Sequence, residues 1–151
     1  MYFSKKEWYE GEWNDNLMDG EGVYHYNDGN VFKGRFTEGN QNDIGIIEYK
    51  SGMIYEGRFW EMIPHGRGKM LYKDNSTYDG HFKLNKRHGQ GKMIYPNGDY
   101  YTGTWKGDTK DGYGVFYNAA TGEEYDGEWT CDKRDGFGTL TNKKRETMYK
   151  G

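Results

Sequence analysis

An aromatic residue returns at a fixed interval along the chain: Tyr9, Phe32, Tyr55, Tyr78, Tyr101, Tyr125 and Tyr149, at spacings of 23, 23, 23, 23, 24 and 24 residues. Glycine always follows two residues later, from Gly11 and Gly34 through to Gly151. A second aromatic follows four residues later, as Trp13, Phe36, Phe59, Phe82, Trp105 and Trp129. Each unit also carries a Gly-x-Gly whose second glycine never changes: Gly22, Gly45, Gly68, Gly91, Gly114 and Gly138. The first glycine is replaced once, by Asp43. Self-similarity at so short a period restricts the fold to a repeat architecture, in which each unit buries its apolar side against the next.

Within a unit the local period is two, which means strand. Tyr9, Gly11 and Trp13 share one face, while Glu10 and Glu12 take the other. In the second strand Gly22, Tyr24 and Tyr26 return to the first face. Turn sequences such as Asn27-Asp28-Gly29-Asn30 and Pro96-Asn97-Gly98-Asp99 separate the units and signal hairpins. Pairing Tyr26 with Phe32 keeps the faces consistent, and a longer turn or bulge near Ala119–Glu124 absorbs an extra residue. The glycines then act as a floor on which rings lie, because a methyl group there pushes a ring off the sheet at a cost of roughly 1–3 kcal/mol. The expected fold is all-β: one elongated, single-layer antiparallel meander of hairpins, forming an open, twisted ribbon of twelve or thirteen strands over a single domain, 1–151.

Composition bears on whether such a sheet has a core. Leu, Ile, Val and Phe number 20 of 151 residues, a share typical of disorder. The net charge is only −3, however, and 27 residues are Phe, Trp or Tyr. The core must therefore be aromatic. The slightly acidic balance argues against nucleic acid as a partner. Cys131 is the only cysteine, so no intrachain disulfide forms, in keeping with a reducing compartment. The first residues, Met1 to Glu7, have no apolar signal region, and no apolar run approaches the roughly 20 residues of a membrane span. These features predict a soluble intracellular chain. Met1 and Phe3 fall where a preceding repeat places strand residues, and Tyr149-Lys150-Gly151 begins a seventh unit. Either these strands cap the array, or, as the cut within a motif suggests, the parent protein continues.

The pattern Tyr-x-Gly-x-Trp/Phe, a loop, Gly-x-Gly, two apolar positions and a Gly or Asn turn resembles the MORN (membrane occupation and recognition nexus) repeat, in six full copies with partial ones at both ends. Tyr125-Asp126-Gly127-Glu128-Trp129 and Asp135-Gly136-Phe137-Gly138 match closely. Asp43, Phe for Trp in repeats two to four, and the two 24-residue units depart from it. The resemblance implies a single-layer hairpin ribbon. It also implies scaffold roles in ciliary and flagellar spokes, cytoskeletal collars, cell-division structures and membrane junctions, or a module beside kinase or methyltransferase domains; lipid binding is the proposal behind the family's name.

Chemistry is sparse. The Gly-x-Gly units lack the Lys-Ser/Thr of a P-loop and the third glycine of a dinucleotide fingerprint. No serine stands in a Gly-x-Ser-x-Gly context, and Cys131 has no histidine near it in sequence. His65 and His88 hold the same loop position in adjacent repeats, about 10 Å apart at two strands' spacing, too far to share a metal. No catalytic, cofactor or metal site is expected. Candidate partner-binding residues are the ring-face Tyr24, Tyr26, Tyr72, Tyr95, Trp13, Trp105 and Trp129, with Trp60 and Ile63 in an apolar Trp60–Pro64 tip. Candidate acidic-lipid contacts are Lys83, Lys86 and Arg87; Lys143, Lys144 and Arg145 form a second basic cluster. The expected function is a non-enzymatic scaffold gripping a helix or extended segment of another protein, cytoplasmic and in a cytoskeletal, ciliary or flagellar assembly. The alternatives are a peripheral membrane module and a regulatory array of a larger protein.

Overall fold

The computed structural model describes residues 7–144 and 146–150. Met1, Phe3, Arg145 and Gly151, named above, lie outside them. The strands are β1 Trp8–Asn14, β2 Leu17–His25, β3 Val31–Thr37, β4 Asn40–Glu48, β5 Ile54–Trp60, β6 Ile63–Leu71, β7 Thr77–Lys83, β8 Lys86–Ile94, β9 Tyr100–Lys106, β10 Thr109–Tyr117, β11 Glu124–Thr130, β12 Lys133–Thr141 and β13 Thr147–Lys150. They form one open 13-stranded antiparallel sheet in strict sequence order.

Short and long connections alternate. The short ones hold two residues, as at Asp15-Asn16 and Leu84-Asn85, both in the left-handed region. That conformation matches the twist of the flanking strands. Glu61-Met62 adopts it with neither glycine nor asparagine (φ 47° and 63°), so the hairpin ladder overrides local preference there. Several tips also lean on the hairpin before them. Asn85 N–H donates to the Pro64 carbonyl at 2.9 Å, Asp108 N–H to Arg87 at 3.1 Å and Asp132 N–H to Lys110 at 3.0 Å.

The longer loops set a register different from the one expected. Phe32 pairs with Tyr24, not Tyr26. Tyr26 instead closes the loop, its N–H donating to Asn30 O and its carbonyl accepting from Gly29 N, both at 3.0 Å. The shift is two residues, so every side chain keeps its face. Tyr117 pairs with Glu124, which lengthens that loop and absorbs one extra residue. The last unit uses a bulge: Leu140 pairs with Tyr149 but Thr141 with Thr147.

The core is a single line of rings crossing the sheet. From β3 on, each Phe or Trp of a first strand stands edge-on between its own repeat's aromatic and that of the repeat before. Phe36 sits between Tyr9 and Phe32, Phe82 between Tyr55 and Tyr78, Trp105 between Tyr78 and Tyr101, with centroids 4.8–5.7 Å apart and planes at 75–89°. Perpendicular packing suits the ring quadrupoles. Beneath the first aromatic of each repeat lies the glycine floor. A Cβ at Gly91 would stand closer than 3.0 Å to three atoms of the Tyr78 ring and hydroxyl. The first glycine of Gly-x-Gly has another cause. Gly89 (φ 63°) lies where the β7–β8 register shifts between Gly80 and Phe82. The shift leaves the carbonyl of the residue before the Phe or Trp short of a ladder partner, and the tyrosine hydroxyl supplies one. Tyr78 donates to His81 O at 3.0 Å, Tyr55 to Arg58 O at 2.7 Å and Tyr101 to Thr104 O at 3.0 Å.

Candidate partner-binding groove

The ring face carries three rows, each repeating once per hairpin. The middle row is the ring ladder with Tyr24, Ile47, Met70, Met93, Phe116 and Leu140 packed on it. The loop-side wall is Tyr26, Tyr49, Tyr72 and Tyr95, the residues that open the long loops, all partly buried. The tip-side wall is Met18, Gln41, Pro64, Arg87, Lys110 and Arg134, the direct partners of Trp13, Phe36, Phe59, Phe82, Trp105 and Trp129. Between the walls runs a groove.

Toward the N-terminal end the groove is mainly apolar. A recess of about 450 Å³ is lined by Met18, Tyr24, Tyr26, Phe36 and Met62 among others. A second, of about 240 Å³, is lined by Tyr26, Ile47, Tyr49, Met62, Ile63 and Pro64 among others. The apolar tip anticipated from sequence therefore borders the groove, with Met62 shared by both recesses. The Tyr24 hydroxyl donates to Glu7 at 2.8 Å and that of Tyr26 to Gln41 at 2.6 Å. Burial pushes Tyr26 up to about 12.

Toward the C-terminal end the tip-side wall is cationic. The Arg87 guanidinium lies 4.4 Å from the Trp105 ring centre, Lys110 Nζ 4.9 Å from that of Trp129, and Arg134 4.7 Å from that of Tyr125. Arg87 is tied to the neighbouring tip, its Nε 3.1 Å from Asp108 Oδ1 and its Nη2 2.8 Å from Asp108 O. Lys110 is held below the usual lysine pKa. Burial among rings is the main cause, opposed by Asp132 and reinforced by Arg87 and Arg134. Burial also raises Tyr72 and Tyr95 above the ordinary phenol, with Arg87 pulling both down.

The anticipated residues divide accordingly. Tyr24, Tyr26, Tyr72 and Tyr95 line the groove. Trp105 and Trp129, expected at a partner surface, are only 2 % and 5 % exposed. Their indole N–H groups donate to Gly91 O at 3.1 Å and Gly114 O at 2.9 Å in the preceding repeats. They are the groove's floor support, not its contact surface. Trp13 is 58 % exposed because, among the described residues, only Tyr9 packs edge-on against its ring. Trp60 is exposed at the tip, its ring 5.8 Å from that of His65, and Ile63 is exposed beside it. Lys83, Lys86 and Arg87 do not form one patch. Strand alternation sends Lys83 and Lys86 to the outer face as cross-strand partners, while Arg87 pairs with the ring-face Phe82. Lys110 and Arg134 went unnoticed in sequence, although they stand two residues before Gly112 and Gly136 as Arg87 stands before Gly89. Among the described residues no group of three or more His, Cys, Asp or Glu side chains could hold a metal.

Comparison with protein families agrees with this geometry. The family model of the MORN repeat matches residues 9–31, 55–77, 78–100, 101–119 and 125–144, well over half of the chain. The unmatched second repeat is the one with Phe32 and Asp43, and Asp43 is not in the left-handed region that Gly89 occupies. No curated protein matches the chain. Among solved structures, the TCP domain of SAS-4 (dCPAP) in complex with a proline-rich motif of Ana2 (dSTIL) of Drosophila melanogaster is similar at 17 % identity and a TM-score of 0.48, over 85 % of this chain and 77 % of that one. On the breadth of the family match, carried by the repeating glycine floor and ring ladder, the chain belongs to the MORN repeat family.

Proposed function

We propose that this chain is a non-enzymatic scaffold that grips a segment of another protein along its ring-face groove. The observation that carries the reading is the row of four half-buried tyrosines, Tyr26, Tyr49, Tyr72 and Tyr95, at repeat spacing beside an apolar floor. Aromatic residues of this kind supply much of the contact energy in protein interfaces. The cytoskeletal, ciliary or flagellar setting rests on the family resemblance, and a cytoplasmic location on the lone Cys131 and the composition of the chain. A photo-cross-linking benzoylphenylalanine placed at Tyr95 in the groove, and separately at Lys69 on the outer face, tests the reading in cells. The proposal requires discrete adducts from the groove position only. Equal labelling from both faces, or none from the groove, counts against it.

A second reading, acidic-lipid binding, draws on the β7–β8 tip, where exposed Leu84 lies between exposed Lys83 and Lys86. Each lysine near an anionic surface contributes about 1 kcal/mol. Salt-sensitive co-sedimentation with phosphatidylserine vesicles, abolished by Lys83→Glu with Lys86→Glu, favours this reading over the scaffold.

A further inference from the structure

The tip-side wall changes chemistry along the ribbon, from Met18, Gln41 and Pro64 to Arg87, Lys110 and Arg134. The three cations do not stand alike. Arg87 has its carboxylate, Asp108. Lys110 and Arg134 form no ion pair among the described residues. The carboxylate of the adjacent tip, Asp132, acts on Lys110 through space, but its Oδ1 accepts from the Lys110 backbone N–H at 2.9 Å. Both cations lie over rings: Lys110 is half-buried there, while Arg134 is exposed above the Tyr125 ring. Lys110 Nζ lies within 4.9–5.6 Å of the Trp129, Phe116 and Tyr101 centres. On the opposite wall the hydroxyls of Tyr72 and Tyr95 make no hydrogen bond among the described residues.

Resting on the groove reading above, we infer that the C-terminal half of the groove takes an acidic protein segment in an extended, polyproline II-like conformation. Its carboxylates stand three residues apart, one on Lys110 and the next on Arg134. The pitch argues for this form. Lys110 and Arg134 are two strands apart, about 10 Å at the usual strand spacing. A polyproline II chain rises about 3.1 Å per residue with three residues per turn, so every third side chain shares a face at about 9.3 Å. In a β-strand, residues three apart point to opposite sides. A helix presents residues seven apart at about 10.5 Å, but its backbone is internally bonded and leaves the Tyr72 and Tyr95 hydroxyls without a use. An extended chain has unpaired backbone carbonyls for them. Charge complementarity selects an acidic segment over a neutral one. The half-buried position of Lys110 on the tip-side wall, over the rings, selects a single chain over a bilayer surface, which meets the exposed tips first.

The test is fluorescence anisotropy of labelled synthetic peptides with the full chain. One peptide carries glutamates every third residue among prolines, a second replaces them with glutamines, and a third places them every seventh residue in a helical sequence. The first peptide is expected to bind. Lys110→Gln and Arg134→Gln should each weaken it about tenfold, the scale of one lost charge-assisted contact, and each should flatten the salt dependence. Lys83→Gln should change nothing, and melting curves show that the variants fold. Equal binding of the glutamine peptide, preference for the helical one, or indifference to Lys110→Gln overturns the proposal. So does loss of phosphatidylserine-vesicle binding on Lys110→Gln without any peptide binding. Groove cross-links at Tyr95 that persist while all acidic peptides fail leave the scaffold reading standing and remove this one.

Discussion

Substituting Gly80 by alanine places a Cβ 2.5 Å from the Cα of Gly91 and 2.5 Å from the hydroxyl of Tyr78. Neither neighbour yields easily. Gly80 and Gly91 are direct partners in the β7–β8 ladder, so the first clash is with backbone and is relieved only by parting the strands. Tyr78 relieves the second only by leaving its place between Phe82 and Trp105, whose centroids lie 5.1 and 5.5 Å away. It also gives up its 3.0 Å bond to the His81 carbonyl. Overpacking of a tight site costs about 1–3 kcal/mol and the hydrogen bond about 1 kcal/mol. The sum is about 2–4 kcal/mol, and for a chain of this length each kcal/mol lowers Tm by about 2–4 °C. The neighbouring Asp79 points outward, 3.7 Å from Arg67 with both side chains mostly exposed. Asp79→Ala should therefore stay within about 1 kcal/mol of the parent. Thermal melts followed by far-UV circular dichroism and by tryptophan emission measure both variants. Two probes are needed because repeat arrays lose cooperativity when one unit is weakened, and Trp105 reports directly on the Tyr78 site. If Gly80→Ala melts no earlier than Asp79→Ala, the ring does not lie on the glycine and the floor argument fails.

Two further outcomes test the ring ladder. Burial pushes Tyr101 up to about 12, and Tyr55 and Tyr78 are also raised by burial. The folded chain thus holds these phenolic protons more tightly than the unfolded one. The associated stability is fully present below about pH 10 and is lost as pH rises through the folded values, at about 1.4 kcal/mol per pH unit for each tyrosine; a urea midpoint that stays flat from about pH 9 to 11 contradicts this. Trp105→Phe forfeits the indole bond to Gly91 O and some volume, a loss of about 1–2 kcal/mol. Trp13→Phe, at an exposed ring, should stay within about 0.5 kcal/mol in chemical denaturation.

Much of this was legible in the sequence because it is local. The alternation of Tyr9, Gly11 and Trp13 with Glu10 and Glu12 predicts faces whatever the rest of the chain does. The recurrence of Gly22 and its counterparts predicts a ring above each. The register was misjudged by two residues because Asn27-Asp28-Gly29 closes a loop that includes Tyr26, and loop closure depends on hydrogen bonds that no residue pattern displays. The Trp60–Pro64 tip is legible in sequence, but its tight turn at Glu61-Met62 is not, for the opposite reason: its residues disfavour the conformation that the flanking strands impose. Arg87 was assigned to a basic cluster with Lys83 and Lys86 by proximity along the chain. Lys110 and Arg134 share its place only when every second strand of the sheet is read across.

The sequence by itself determined a one-dimensional array of hairpins and the side to which each residue points, since strand alternation and a fixed period require no knowledge of distant contacts. Which ring-face residues are covered was decided only in the tertiary structure. Trp105 and Trp129 are buried by tyrosines 27 and 28 positions earlier, Tyr78 and Tyr101, through a contact between repeats. Trp13, in the same position of its own unit, stays largely exposed because the described chain offers it one such ring in place of two.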